Sequence, residues 1–166
     1  MSLPRHRSAE DDARAIRLAR ANINPVTGLA TDYLNHFNEA IMLLEMLETC
    51  PDCLDDFRAW KPLSYREHFE NSKLRDRALA IEAYEHACPA ARQDLDVLTD
   101  KMCAVLEATH AALGGGLTPP AAVQIAYRSV IRLKLLVARA GAVINGEAET
   151  GAGAGPQAAV DLLLKR

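Results

Sequence analysis

Residues 29–49, LATDYLNHFNEAIMLLEMLET, contain neither glycine nor proline and are long enough for about six helical turns. Apolar side chains recur in steps of three and four, at Leu29, Tyr33, Phe37, Ala40, Leu44 and Leu47. A second face carries polar residues and, one turn further on, two apolar ones: Asp32, Asn35, His36 and Glu39, then Leu43 and Met46. Because apolar residues cover most of the circumference, we expect this helix to be central in a bundle, with its polar face partly buried.

Start and stop signals divide the rest of the chain into further helices. Ser8 with Asp11 and Ser64 with Glu67 have the spacing of capping boxes, and Pro89 suits the first turn of a helix. These signals predict helices at 8–23, 29–49, 52–60, 64–87, 89–113, 118–144 and 158–165. We expect a bend or a break in the polar middle of the helix at 64–87.

Each predicted helix has an apolar face that can join the core. The first helix has a thin stripe, Ala9, Ala13, Ile16 and Ile23. The later faces are Tyr65, Phe69, Leu79 and Ala83; Leu95, Leu98, Met102, Val105, Leu106, Thr109 and Leu113; and Ala126, Val130, Leu133, Val137, Ala140 and Ile144. Thr27 and Gly28 are predicted to cap the central helix, and Thr118 with Pro119 is predicted to start the helix at 118–144.

No segment alternates with period two for long enough to predict a strand. The predicted fold is all-α, an antiparallel four-helix-type bundle with an extra N-terminal helix and a short C-terminal helix. We expect residues 1–23 to be a peripheral arm and helix and residues 24–146 to be the bundle. Residues 147–166 are expected to be a flexible linker, rich in Gly and Ala, followed by a short helix.

Composition excludes several classes of protein. The chain has 166 residues, a hydrophobic fraction of 49% and a formal net charge of −3, which favours a globular domain over a nucleic-acid binder. No run approaches the roughly 18 apolar residues of a membrane span. The N-terminus lacks the apolar region of a secretory signal, so we expect a cytoplasmic protein whose four cysteines are reduced.

One group of residues has spacings typical of a metal site. Asp32, His36 and Glu39 stand at i, i+4 and i+7 on the central helix, and Glu107 and His110 form a Glu-x-x-His on another helix. Such spacings place ligands on adjacent turns, so that both can reach one ion. A carboxylate di-iron bundle uses two such motifs, and this chain has one. These five residues could form a site for Zn, Fe or Mn, or they could make ordinary polar contacts.

Cys50 and Cys53 form a Cys-x-x-Cys pair, which can be redox-active, can supply half of a zinc site, or can have no ligand role. A helix is predicted before the pair, where a thioredoxin-like motif needs a strand. His86 and Cys88 are the nearest candidates for two further zinc ligands, but they are predicted to lie at the other end of the bundle.

Three arginines, Arg128, Arg132 and Arg139, fall within about 40° of one another on the predicted solvent side of the helix at 118–144. They could bind an anion or an acidic partner, or form a solvated face with surface ion pairs. Leu135 interrupts the stripe, and the helix contains no Asp or Glu.

The functional hypothesis is a non-enzymatic interaction or regulatory module of the cytosol that binds a protein partner or forms a homodimer, without a cofactor. The thin amphipathic faces at 9–23 and 157–165 would bury more surface against another subunit. The alternative is a metal-binding helical bundle, which would be a carboxylate/histidine metal oxidoreductase if it has activity.

Overall fold

The computed structural model describes residues 8–147, and this range is all-α, as predicted. Its helices are α1 (Ala9–Arg20), α2 (Leu34–Glu45), α3 (Cys53–Ala59), α4 (Tyr65–Asn71), α5 (Arg77–Glu85), α6 (Pro89–Ala112) and α7 (Pro119–Ile144). Among these residues, one bridge, between Ile23 and Ala30, is the extent of β-type pairing. No helix in the described range has both the length and the hydropathy needed to cross a membrane. The predicted helix at 158–165 and most of its linker lie outside the described residues.

The α2 helix lies in the middle of the core. One-turn 3₁₀ helices at Thr31–Tyr33 and Met46–Glu48 extend it at both ends, so the helical path nearly matches the predicted 29–49. All six residues of the predicted apolar face are buried, and α2 packs against both α3 and α7. The predicted apolar face of this helix is therefore confirmed.

The α6 and α7 helices pack against each other along their lengths. Each begins with a proline in its first turn, where the missing backbone N–H has no helical partner to lose. Every predicted core residue of α6 is buried, and on α7 the predicted face is buried except for the half-buried Val137. The 3.6-residue period therefore predicts both faces correctly.

The long helix predicted at 64–87 is two short helices, α4 and α5. Ser64 and Glu67 form the predicted capping box at its start. The chain leaves the helical path at Ser72, whose hydroxyl donates to the Phe69 carbonyl at 2.9 Å, and the Arg77 side chain donates to the Ser72 carbonyl at 2.9 Å. These contacts satisfy backbone groups at the break, so the polar middle ends the helix rather than bending it.

The first helix differs from the prediction in both length and orientation. It ends at Arg20 rather than Ile23, because Asn22 has a φ of 58°, a left-handed conformation that an α-helix cannot continue through. Leu18 is buried, whereas Ile16 is 54% exposed. The predicted stripe through Ala9, Ala13 and Ile16 is therefore wrong, and Leu18 attaches the helix to the core.

Residues 22–30 form a compact connection that we call the joint. Thr27 does not cap the central helix as predicted; its hydroxyl donates to the Ile144 carbonyl at 2.6 Å, and its carbonyl accepts from the Cys88 amide at 3.0 Å. Gly28 has a φ of +75°, and a Cβ there would lie 3.0 Å from the Ala83 carbonyl oxygen. The joint thus connects α2 to the end of α5, the start of α6 and the end of α7.

Candidate functional site

His36, from the polar face of α2, is held by the segment that follows α3. His36 is only 8% exposed, and its ring stacks on Trp60, with ring centroids 4.5 Å apart and planes inclined by 24°. Trp60 donates its indole N–H to the His36 carbonyl at 3.2 Å. His36 Nε2 lies 2.9 Å from the Lys61 carbonyl oxygen and 3.1 Å from the Leu63 amide nitrogen. It donates to the first or accepts from the second according to its tautomer, so the backbone already occupies this ring nitrogen.

A second histidine lies beside this pair. The rings of His36 and His68 have centroids 6.0 Å apart, and His68 also lies edge-on to Tyr33 at 5.7 Å. Burial lowers the pKa of both imidazoles. His68 Nε2 is buried and has no hydrogen-bond partner in residues 8–147. The two rings are therefore held in the neutral form to a lower pH than a solvated histidine.

Two buried tyrosines complete the polar part of this cluster. Tyr33 donates its hydroxyl to the Leu63 carbonyl at 3.0 Å, and Tyr65 accepts at its hydroxyl from the Ala30 amide at 2.9 Å. Burial raises the pKa of both phenols, which stay protonated. Their hydrogen bonds fix the chain on either side of α2, at Ala30 and at Leu63.

Glu107 and His110 line one cleft, as the Glu-x-x-His spacing predicts for side chains on adjacent turns. The cleft has a volume of about 290 Å³ and lies between α6 and the end of α3, with Trp60 and Lys61 on its wall. Both residues are exposed, and His110 Nε2 lies 3.4 Å from the Arg58 carbonyl oxygen. Trp60 thus contacts His36 and also borders the cleft that contains the other predicted histidine ligand.

The five predicted metal-ligating residues do not form one group. Asp32 borders a different cavity, of about 190 Å³, together with Arg20 and Arg75, and Glu39 is exposed. In the part of the chain that the structure describes, no three His, Cys, Asp or Glu side chains are grouped to hold a metal ion. Metal binding by Asp32, His36, Glu39, Glu107 and His110 therefore stays a prediction, with Glu107 and His110 as the pair that shares a cleft.

The outward face of α7 combines cations with apolar side chains. The three predicted arginines, Arg128, Arg132 and Arg139, are exposed. Neither Arg128 nor Arg132 forms an ion pair with another residue of 8–147. Lys134 lies on the other flank and pairs with Glu45 of α2. Arg128 and Arg132 are therefore not neutralised by an ion pair within residues 8–147.

Between these flanks lie Tyr127, Ile131 and Leu135, which are 62%, 45% and 45% exposed. We call this row the α7 apolar stripe. In the sequence Leu135 interrupts the arginines, whereas in the structure it ends a row of exposed apolar residues at i, i+4 and i+8. The signal was present as a four-residue period on the side of α7 opposite the core, in a helix without acidic residues.

The four cysteines, Cys50, Cys53, Cys88 and Cys103, are free thiols. Cys50 and Cys53 belong to the turn that leads into α3, with Cys53 as the first residue of that helix. The other predicted pair, His86 and Cys88, does not join them in a zinc-like group within the described residues.

Comparison with known proteins found no matching family model, no similar curated protein and no similar solved structure. The surfaces and side-chain groups of the chain itself are therefore the basis for a functional proposal.

Proposed function

We propose that this protein is a non-enzymatic interaction module that binds an acidic amphipathic helix of a partner protein on the outward face of α7. The observation that carries the proposal is the α7 apolar stripe, three large side chains exposed in successive turns of a 26-residue helix. A partner helix that lays its apolar face on such a row buries these side chains, which is a common form of helix recognition. Tyr and Arg are also the residue types that contribute most binding energy at interfaces.

Charge determines the kind of partner. Arg128 and Arg132 lie on one flank of the α7 apolar stripe and Lys134 on the other, and the helix has no Asp or Glu between residues 119 and 146. Lys134 is already paired with Glu45, so glutamates beside the apolar face of a partner helix would pair with Arg128 and Arg132, whereas lysines there would be repelled. The complementary partner is thus apolar along its centre and acidic along the edge that meets these arginines.

The same charges disfavour a homodimer through this face. If two copies of α7 packed antiparallel through this face, Arg128 and Arg132 of one copy would lie beside the same arginines of the other. Like charges placed opposite one another cost free energy at an interface. A separate partner therefore satisfies the face better than a second copy of the chain does.

The wider hypothesis also includes the arrangement and the compartment. We propose a four-helix-type bundle whose members are α2, α6, α7 and the α4–α5 pair. We also propose that the protein is cytosolic, a compartment in which free thiols are the usual resting state.

The experiment uses a synthetic helical peptide with a leucine stripe flanked by glutamates, and a second peptide with lysines in place of the glutamates. Binding to the full chain is measured by fluorescence anisotropy. We expect the acidic peptide to bind more tightly, and Tyr127→Ala to weaken its binding by roughly fivefold or more. The double substitution Arg128→Glu and Arg132→Glu should reverse the preference between the two peptides.

Ile16→Asp is the matched control, because Ile16 is an exposed apolar residue of α1. It should leave binding unchanged. Equal binding of the two peptides, or tighter binding of a DNA or RNA duplex, would exclude an acidic helix as the ligand. The remaining possibility is that a second copy of the chain occupies the outward face of α7. Sedimentation velocity of the wild type and of Ile131→Asp tests it, since a wild-type dimer that dissociates in the variant would identify a second copy as the occupant.

A metal-binding bundle is the second candidate function. It is supported by Glu107 and His110, which line the same cleft beside Trp60. A zinc or iron site would need further ligands from elsewhere in the chain or from a substrate. Analysis of bound metal separates this candidate from the interaction module.

A further inference from the structure

Cys50 and Cys53 are held in one hydrogen-bonded turn. The Cys53 amide donates to the Cys50 carbonyl at 3.1 Å, and the Leu54 amide donates to the Pro51 carbonyl at 3.1 Å. The Cys50 amide is itself fixed by the Met46 carbonyl at 2.7 Å. A turn closed between positions i and i+3 keeps their Cα atoms less than about 7 Å apart, close to the separation that disulfides span. The backbone therefore already brings the two thiols into range of a disulfide.

The two thiols differ in their surroundings. Cys53 is buried, whereas Cys50 is half-buried and is followed by the exposed residues Pro51 and Asp52. A hydrogen bond with the Cys50 thiol, and then burial, raise the pKa of Cys53 to about 11. Cys53 thus keeps its proton next to Cys50, and a small reagent approaching from solvent meets Cys50 first.

We propose that Cys50 and Cys53 form a dithiol site that a low-molecular-weight disulfide, such as glutathione disulfide, oxidises reversibly. The Cys50 thiolate attacks one sulfur of glutathione disulfide, breaks its S–S bond and releases one glutathione thiolate. The Cys53 thiol then gives its proton to water, and its sulfur attacks Cys50 Sγ. This second attack breaks the mixed disulfide and releases the second glutathione. Two protein thiols are oxidised, and one glutathione disulfide is reduced to two glutathione molecules.

The fold accommodates this disulfide without rearrangement. The bond would close a four-residue loop whose ends are already held by hydrogen bonds, so neither α2 nor α3 has to move. A loop this short removes little entropy from the unfolded chain. Oxidation should therefore change the melting temperature only slightly. The site lies on the opposite end of α3 from Trp60, and it is independent of the α7 apolar stripe.

The other cysteines provide internal controls. Cys88 is exposed and Cys103 is half-buried, and burial raises the pKa of the Cys103 thiol. Neither stands in a Cys-x-x-Cys turn. A reagent that oxidises Cys88 can therefore leave only a glutathione adduct on it, while the same reagent should leave no adduct on Cys50.

The experiment equilibrates the full chain with defined mixtures of reduced and oxidised glutathione, alkylates the remaining thiols and maps them by mass spectrometry. We expect the peptide containing Cys50 and Cys53 to lose two hydrogens and carry no glutathione. Its oxidised fraction should depend on the squared concentration of reduced glutathione divided by the concentration of oxidised glutathione, because two glutathione molecules are released. The fraction of Cys88 that carries glutathione should depend on the ratio of reduced to oxidised glutathione, because only one glutathione molecule is released there.

Two variants test the order of the steps. Cys53→Ser should accumulate a glutathione adduct on Cys50, and Cys50→Ser should make Cys53 react at least tenfold more slowly than Cys50 does in Cys53→Ser. Peptide mapping of the wild type decides the question even if a variant does not fold. The proposal is overturned if wild-type Cys50 retains glutathione, or if both thiols stay reduced when Cys88 is fully modified.

Discussion

At the level of single residues, Phe37 has no exposed surface and contacts the rings of Tyr33 and Trp60, with centroids 5.6 and 6.2 Å away. We expect Phe37→Ala to lower the free energy of unfolding by about 3–5 kcal/mol, because it leaves a cavity in the core. Chemical denaturation measures this loss. Tyr127→Ala, at an exposed aromatic, should cost less than about 0.5 kcal/mol. A loss below about 1 kcal/mol for Phe37→Ala would show that the surrounding side chains collapse into the space.

The buried histidines predict a dependence of stability on pH. Burial lowers the pKa of His36 and His68 in the folded state from their usual 6.5, so the unfolded chain binds more protons below that pH. The contribution of these neutral histidines to stability should be fully present above pH 6.5. It should be lost as the pH falls from 6.5 toward the lower pKa values that the histidines have in the folded state. Urea denaturation at pH 7.5 and at about pH 5 measures the change. His68→Gln should reduce it, and equal stability of the wild type at the two pH values would contradict the prediction.

The position of His36 could be predicted only in part. The sequence indicates a half-buried polar face because Leu43 and Met46 follow it, and His36 is indeed buried. Met46, however, is 40% exposed, so the neighbours on the helix are not what covers the imidazole. Trp60 and the backbone at Lys61 cover it, and that contact depends on the path of an irregular segment that no periodicity encodes.

At the level of elements, helix starts differ in how much they depend on their caps. Ser64 accepts from the Glu67 amide at 3.2 Å, whereas Thr118, at the start of α7, forms no such side-chain bond. We expect Ser64→Ala to cost about 0.5–2 kcal/mol of unfolding free energy. Thr118→Ala is the matched control and should cost less. Equal losses in thermal melts would mean that the hydrogen bond from the Glu67 amide to the Ser64 hydroxyl adds no stability.

The elements show which boundaries are local and which are not. The sequence correctly predicts the capping boxes at Ser8 and Ser64 and the proline in the first turn of α6, because each of these signals lies within one helical turn. The end of α1 depends instead on a left-handed Asn22 and on the packing of the joint against distant helices. Local signals cannot reveal such tertiary constraints.

At the level of the whole molecule, the two candidate functions differ in their metal content. If the protein is an interaction module, purified full-length protein should carry no stoichiometric Zn, Fe or Mn, and a chelator should leave its melting temperature unchanged. Elemental analysis and thermal melts measure these properties. Stoichiometric metal that is lost in His110→Ala, and retained in the exposed variant His86→Ala, would instead support the Glu107–His110 cleft as a metal site.

For the molecule as a whole, helix period and composition predict the class of fold and most of the core. They do not predict how α4, α5 and the joint are arranged, because these segments are short and held by contacts between distant residues. The α7 apolar stripe was visible in the sequence as spacing, but its meaning depended on which side of α7 faces the core. Only the packing of α7 on α2 and α6 decides that.

The joint also has a consequence for how the protein is made. The Thr27 hydroxyl donates to a carbonyl 117 residues further along the chain. While the ribosome is still synthesising α7, the Ile144 carbonyl has not emerged, so the joint can contact α5 and the start of α6 but lacks its bond to the end of α7. The joint therefore cannot complete its contacts during translation until α7 has been synthesised to its end. Premature termination within α7 would leave the Thr27 hydroxyl, which is buried in the finished protein, without the carbonyl that accepts its hydrogen bond, and an unpaired buried donor costs free energy.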